Sequence, residues 1–545
     1  MADDLREPGA RPVPGGPPLR RGRVPGGPEW SGDARDPGKG SPRALLAVVL
    51  VIATTALVYE LSIAAMASYL LGDSVRQFSL VIGAYLSALG IGAYLSRFVE
   101  AELAIVFVDV ELAAAIVGGV SVPCLLVAFA FTHAFQLVLF VVVLAVGVLV
   151  GLELPLLIRI LERRSSLREL IARALTFDYA GALIGSLAFS FVLVPKLGLA
   201  LTSPACGLVN ALVGLGSTYV LPASGAGEAR ALVRARGRAV VVIAFLAVAL
   251  VFSGRATELS EAAIYPGDVV LSRDTAYQRI VVTNHGGAFE LFLNGNLQLS
   301  SADEYRYHEA LVHPAIAAAR SHHDVIIGGG GDGLAVREAL KWPDVERVTL
   351  VDIDPEMTGL ARTYPPLRAM NGGSLDDPRA RVVNEDAMRF FAEERPSADV
   401  VILDFPDPGT YAVGKLYTEE MYRHVKRRLA PGGALVVQSS SPFLSRATFS
   451  CITRTLEAAG FVVRPYAAFV PSFGIWGFAL AKIEKFAIPT RLPPAPLRFL
   501  DARALEALFA LPPDLQTPQP TAINRLDNQA LVAYYLDEWD RWEGR

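Results

Sequence analysis

The sequence predicts a multi-pass α-helical membrane domain, then a small antiparallel β unit, then a parallel, doubly wound α/β sheet. Three observations carry that expectation. About seven apolar stretches, each near the ~20 residues that cross a bilayer, fill the chain from Ala44 to about Phe252. From about Ser260 the pattern changes to alternating apolar and polar residues cut by hairpin signals, then to apolar runs alternating with helical ones. Within the latter lies "VIIGGGGDGLAVREALKWPDVERVTLVDIDPE", from Val325 to Glu356. It is the outline of a strand–turn–helix–strand unit built around a nucleotide.

The chain has 545 residues, 52% of them hydrophobic, and a mean hydropathy of +0.39. That is too apolar for a soluble enzyme of this length, and the length implies more than one domain. The net charge of −4 is close to neutral and carries no electrostatic signature of nucleic-acid binding. Cys124, Cys206 and Cys451 are too few and too scattered for a disulfide framework or a zinc site, and no metal is expected.

Residues 1–43 are rich in Pro, Gly and Arg ("GARPVPGGPPLRRGRVPGGPEW"), cannot bury a core and are expected to be disordered. Residues 44–253 form the expected transmembrane domain. Its apolar stretches centre on Ile52, Leu86, Gly119, Leu144, Leu187, Leu208 and Ile243, the last being the shortest. The N-terminal tail and the connections "RILERRSSLRELIARA" and "EARALVRARGRA" carry most of the positive charge, so the positive-inside rule puts the N-terminus in the cytoplasm. Glu60, Asp109, Glu111, Glu153 and Asp178 lie in or near the apolar stretches. Acids there either sit at interfaces and pair within the bundle or mark a cation path, and the sequence leaves both open.

Residues 260–310 make up the small antiparallel unit, "DVVLSRDTAYQRIVVTNHGGAFELFLNGNLQLS", with "NHGG" and "NGN" as hairpin turns. Residues 311–483 carry the doubly wound sheet, its strands reading "DVIIGGG", "RVTLVDID", "ARVVNED", "ADVVILDF" and "GALVVQSS". Residues 484–545 are a Pro-rich connector ("IPTRLPPAPLRF") and two short helices.

The glycine turn formally satisfies G-x-G-x-x-G between Gly328 and Gly333, with Asp352 about 20 residues on. Asp332 contradicts a dinucleotide reading, because a carboxylate in that turn repels the pyrophosphate that a helix N-terminus would bind. Each strand of the sheet ends in a polar or acidic residue, with the acids in order Asp332 in the turn, then Asp352, Asp386, and Asp404 with Asp407. These tips are where open α/β sheets bind ligands. Asp352 is placed for ribose hydroxyls and Asp386 for an adenine amino group. Asp332, Asp404 and Asp407 remain to meet positive charge, which points to an adenosine carrying cations.

The glycine turn, "VDIDPE", "NEDA", "LDFPDP", "YQRIVVT", "LNGNLQLSSADEYRYHEALVHP" and "PSFGIWGFALA" resemble the spermidine synthase (polyamine aminopropyltransferase) family. With the apolar N-terminal half and the closing "NRLDNQALVAYYLDEW", the whole chain resembles its membrane-embedded bacterial branch. The resemblance implies a Rossmann-like, methyltransferase-type sheet with a small N-terminal β-hairpin unit. It implies decarboxylated S-adenosylmethionine as co-substrate, no permanently bound cofactor, a diamine such as putrescine as acceptor, and spermidine with methylthioadenosine as products. By similarity Asp404 is the general base and Asp407 binds an amine beside it. Asp332 holds the donor's aminium, Asp352 the ribose, Asp386 with Ala387 the adenine, and Gln278 the methylthioadenosine part. Tyr277 and His308 would line the amine pocket. Gln438 either touches substrate or caps a turn. His308 and His313 are spaced too far apart for a metal pair on one helix face. Tyr305 and Tyr307 are expected to pack. A homodimer is among the expected assemblies.

Three positions depart from the family pattern: Asn294 stands for an Asp, Phe473 for a Tyr, and Tyr411 for a Pro. They leave the acceptor more open than the reaction. Two rivals remain, an S-adenosylmethionine methyltransferase and a polyamine transporter or sensor whose synthase-like domain only binds. The donor is cytoplasmic, so the C-terminal half is expected to face the cytoplasm. Seven full crossings would put it outside, so either one stretch fails to cross, the short one around Ile243 first among them, or the count is off by one.

Overall fold

The computed structural model describes residues 42–542 except 72–73, 133, 163–166, 222–224 and 517–518. The N-terminal tail expected to be disordered lies, up to residue 41, outside the described residues. Seven helices make up the first half: α1 (Pro42–Leu71), α2 (Ser74–Leu95), α3 (Leu103–Phe131), α4 (Phe135–Glu162), α5 (Leu167–Ala188), α6 (Val194–Val220) and α7 (Ala226–Ile264). Six helical stretches are long and apolar enough to cross a membrane, and one of them runs 53 residues from Arg168 to Val220.

A straight helix of that length would span ~80 Å. The chain instead breaks at Gly198, whose φ of 73° and ψ of 170° are open to glycine and strained for other residues. The break reverses direction. The Thr54 hydroxyl of α1 donates to the Gly181 carbonyl of α5 at 3.0 Å, while Thr55 bonds Asn210 of α6. Residues far apart in sequence thus sit at one level, and α5 and α6 are antiparallel.

The other contacts extend the alternation. Asp109 of α3 pairs with Arg238 of α7, and Gly119 of α3 lies against Leu246 of α7, so these two helices run the same way. Gly207 and Gly214 of α6 meet Ala115 and Leu112 of α3 in the opposite order. Such close crossings need small residues: a Cβ on Gly207 would lie 2.8 Å from the Cα of Gly119.

The segment around Ile243, expected to fall short, lies within the 39-residue α7, which packs along α3 and α6. The charged "EARALVRARGRA" continues the same helix rather than ending it. The alternation also carries α7 to the end of the bundle opposite the start of α1. There Tyr69 of α1 meets Tyr265 at 3.3 Å, and the Asp274 carboxylate lies beside Gly198. Arg97, Arg159, Arg173, Arg230 and Arg234 lie toward the other end.

A four-stranded antiparallel meander follows: β1 (Asp268–Asp274), β2 (Arg279–His285), β3 (Ala288–Leu293) and β4 (Asn296–Ser300). Arg279 ties it to the bundle, donating from Nε to Glu261 of α7 at 2.8 Å and from Nη1 to Asp274 at 2.6 Å. The β3–β4 turn places Asn294 and Gly295 at positive φ (50° and 85°), and the Asn294 side chain accepts the Arg279 backbone N–H. Asn-Gly suits this turn, as the Asp-Gly of the family pattern would, so the turn does not explain the departure.

The boundary expected at 310/311 falls inside one helix, α8 (Glu304–Ala318), which packs on the large sheet. That sheet contains β5 (Asp324–Gly329), β6 (Arg347–Asp352), β7 (Ala380–Asn384), β8 (Ala398–Asp404), β9 (Leu429–Gln438), β10 (Val462–Val470) and β11 (Gly474–Lys482), in the order β10-β11-β9-β8-β5-β6-β7. Five strands are parallel as expected, with α9 (Leu334–Ala339) and α10 (Pro355–Thr363) following β5 and β6. β11 runs antiparallel to both β9 and β10, so the sheet is mixed. "PSFG" makes a tight turn there, and a turn that short joins only antiparallel strands. Apolar side chains cover both faces, with Ile327, Ile402 and Val436 on one and Val401, Leu403 and Val437 on the other.

Breaking the bundle–meander tie isolates its energy. Arg279→Met leaves Glu261 buried without its cation and is expected to lower stability by about 3–5 kcal/mol. Adding Glu261→Gln should recover much of that loss. Thermal unfolding of the single and double variants checks both.

Candidate active site

The glycine turn after β5 is squeezed between the tips of two neighbouring strands. A Cβ on Gly329 would lie 2.1 Å from the Asp404 carbonyl oxygen, and one on Gly331 would lie 2.6 Å from the Asp352 carboxylate. Gly329 and Gly330 also take positive φ, 80° and 69°. No side chain fits at these positions, so the two acids and the turn define one another's places. Asp332, at the end of this turn, spends one oxygen accepting the Leu334 N–H at 2.8 Å at the start of α9. It therefore shapes the turn, and its charge is also felt at Asp352, Asp404 and His308.

Asp352 accepts the Asp354 N–H at 2.8 Å, and burial pushes its carboxyl up to about 6. Asp354 itself is fully buried and was not among the sequence candidates. One of its oxygens accepts from Thr275 and from the Gln278 amide, each at 2.9 Å, while the other caps α10 through the Glu356 N–H. Gln278 is thereby brought from the meander to the tip of β6. The signal was legible in "DIDPE", where an acid before proline reads as a helix N-cap.

Asp404 accepts a 2.6 Å hydrogen bond from the Tyr307 hydroxyl. Burial raises its carboxyl to about 6; His308 and Tyr307 pull it down, while the charge of Asp332 adds to the rise. Tyr307, expected only to pack, does both: its ring lies against Phe473 and Phe478 while its hydroxyl reaches the acid. Sequence spacing does not show this contact, because it depends on how α8 lies across β8.

His308 sits in the cluster as a cation. Burial opposes its charge. The hydrogen bond and charge of Glu304, with Asp332 and Asp404 nearby, nevertheless hold it at about 9. Glu304 in turn is kept at about 2 against burial by His308 and Arg337. His308 thus lies where the pocket was expected, but as an imidazolium rather than an acceptor for an amine. His313 is a core residue, facing Glu338 at 3.0 Å and the Trp342 indole at 3.1 Å.

Asp407 is raised to about 6 by burial, against hydrogen bonds from Gln438, Ser440 and Tyr535. Gln438, weighed as a substrate contact, is 2% exposed. Its amide donates to the Phe405 carbonyl and the Tyr417 hydroxyl, each at 2.7 Å, and its oxygen accepts from Ser440 and Trp476. These bonds tie Gln438 to the loop carrying Asp407, as a cap would. Tyr535 comes from the C-terminal helix Ala530–Trp542, so the closing segment reaches the strand tips.

Two candidates stand apart. Asp386 caps the short helix Ala387–Ala392 and pairs with Lys415 at 2.6 Å. Burial pushes this carboxyl up, but Lys415 and the helix N–H groups outweigh it and hold it below its ordinary value. Its acceptor capacity for an adenine amino group is therefore contested by a lysine, while Ala387 is buried beside it. Tyr277 is 52% exposed on the β1–β2 loop and is not packed against the acids. Among the described residues no group of three His, Cys, Asp or Glu is placed to hold a metal.

The edge is thus a row of carboxylates with a single balanced imidazolium, suited to a cationic ligand. Residues 304–490 match the spermine/spermidine synthase domain. A polyamine aminopropyltransferase of Leptospira interrogans is 44% identical over 498 residues, covering 91% of this chain and 99% of the relative. One from Mycobacterium tuberculosis (strain H37Rv) is 40% identical over 512 residues, covering 91% and 96%. A solved spermidine synthase in complex with the transition-state analogue AdoDATO aligns with a TM-score of 0.42 and 28% identity, covering 45% of this chain and 85% of that one. The relatives are matched through both the helix bundle and the α/β half, and the chain belongs to the polyamine aminopropyltransferase (spermidine synthase) family.

Proposed function

We propose that the chain transfers the aminopropyl group of decarboxylated S-adenosylmethionine to a diamine, putrescine in the simplest case, yielding spermidine and methylthioadenosine. The observation that carries this reading is the row of acids at the strand tips, with Asp332 where a nucleotide phosphate would lie. Such an edge favours an adenosine bearing a sulfonium and an aminium and disfavours the carboxylate of the undecarboxylated donor.

Asp352 takes the ribose hydroxyls, Gln278 the neighbouring thioether side, and Asp332 the donor's aminium. The acceptor amine sits between Asp404 and Asp407. Its nitrogen attacks the methylene carbon next to sulfur. The new C–N bond forms as the C–S bond breaks, and the electron pair neutralises the sulfonium. The proton shed by the nitrogen passes to Asp404, whose value of about 6 keeps it ionised at neutral pH yet basic enough to serve. Tyr307 orients that carboxylate through its 2.6 Å hydrogen bond.

The helix bundle is proposed to lie in a lipid bilayer. Six apolar stretches of sufficient length support this, as does an outer face of exposed Leu137, Phe191, Val241 and Val251. The α/β half is proposed to face the cytoplasm, where the donor is made. With seven alternating helices the arginine-bearing ends then lie outside, against the usual bias. A C-terminal reporter is expected to be active only in the cytoplasm, and activity confined to the outer side overturns this placement.

Purified protein incubated with the decarboxylated donor and a panel of diamines should release methylthioadenosine. Asp404→Asn should lower turnover by ~10²–10⁴-fold, leave donor affinity little changed, and be partly rescued at higher pH, which supplies more neutral amine. In the wild type, Asp404 and Asp407 both protonate as pH falls through about 6. The acid limb of kcat/KM should therefore fall with an apparent value near 6 that belongs to the pair. Tyr307→Phe removes a hydrogen bond that favours the carboxylate, so this limb should move up by about one unit. A limb that stays in place would show that Tyr307 does not act on Asp404.

A further inference from the structure

Glu111 of α3 and Glu153 of α4 are enclosed in the bundle, 0% and 2% exposed. They face each other closely enough to share one hydrogen bond, and no other group among the described residues donates to their oxygens. The hydroxyl of Tyr59 on α1, also fully buried and within electrostatic reach of both, has no partner either. Glu153 and Asp178 of α5 line a cavity of about 40 Å³ walled by Val49, Ile52, Phe107 and Leu157. Among the described residues no lysine or arginine is buried in the bundle. Arg238 is paired with Asp109 near the surface, and Arg236 is engaged by Thr218 and Tyr219.

Unpaired carboxylates in an apolar interior are costly, and the cost is removed by a proton or by a cation that supplies hydrogen-bond donors. One proton shared by Glu111 and Glu153 leaves the Tyr59 hydroxyl unserved and puts no donor on Asp178 across the cavity. A primary ammonium carries three N–H donors, is close to water in size, and is followed by methylenes that suit the apolar walls. An alkali cation would need more oxygens than these side chains offer, because the surrounding backbone carbonyls are spent within helices. We propose that the bundle contains a second amine site, in which Glu153 and Asp178, on the cavity wall, bind one ammonium end of a diamine or polyamine, with Glu111 and the Tyr59 hydroxyl close to Glu153.

The choice of an amine over another organic cation rests on the proposed reaction, whereas the site itself does not. Equilibrium binding of radiolabelled putrescine and spermidine to the full-length protein in nanodiscs is expected to give two sites per chain. Glu153→Gln should weaken one of them by roughly 10–100-fold while aminopropyl transfer stays within about twofold of wild type. Asp178→Asn, at a less enclosed position, should weaken the same site if Glu153→Gln folds poorly. Asp404→Asn should instead affect the other site and turnover. A single site in the wild type, unmoved by Glu153→Gln and Asp178→Asn, overturns the proposal and leaves a protonated carboxyl pair. Binding lost in the bundle variants of a protein that shows no aminopropyl transfer would sustain this site and overturn the proposed reaction.

Discussion

The glycine turn after β5 is the constraint on which the site depends. It passes so close to the ends of β6 and β8 that Gly329 and Gly331 have no room for a Cβ beside Asp404 and Asp352. Four successive glycines are usually read as a phosphate cradle, but here the space beside Gly330 and Gly331 is filled by the carboxylates of Asp404 and Asp352. The same backbone that in other α/β proteins admits an anion is used to bring acids together. Ligand charge is thus decided by what the turn lets approach it rather than by the turn alone.

Bringing acids together is unfavourable, and the surroundings show how the cost is limited. Asp404 and Asp407 rise to about 6 through burial, and each is moderated by specific donors: Tyr307 for one, Gln438 and Ser440 for the other. His308 adds a positive charge beside Asp404, itself sustained by Glu304 and Arg337. Arg337, on α9, is thereby linked through Glu304 and His308 to the reacting edge. The lone pairs left over at Asp332, Asp404 and Asp407 are those that a cationic substrate would use.

The two halves of the chain are joined at a polar knot. Glu261 at the end of α7, Arg279 on β2 and Asp274 on β1 couple the last bundle helix to the meander. The meander reaches the strand tips through Thr275 and Gln278 on Asp354. These hydrogen bonds, joined through the adjacent residues Asp274 and Thr275, connect the bundle to Asp354 beyond the tip of β6.

Much of this was legible in sequence because it rests on local periodicity and composition. The apolar stretches, the hairpin signals, the strand-end acids and the glycine turn each report their element within a few residues, and the combined motifs point to the family. What depended on contacts between distant segments was not legible. The reversal at Gly198 is set by α5 and α6 both packing on α1, and the bond from Tyr307 to Asp404 by the seating of α8 on the sheet. Asp386 read as an adenine contact, and the sequence did not show that Lys415, from beyond β8, pairs with one of its oxygens. Gln438 read equally as ligand or cap, and the convergence of Phe405, Tyr417 and Trp476 on its amide could not be read from the sequence. Sequence by itself determined which chemical groups are present and on which elements. The tertiary structure decided which of them are already satisfied by the protein, since satisfaction depends on partners that chain order does not place side by side.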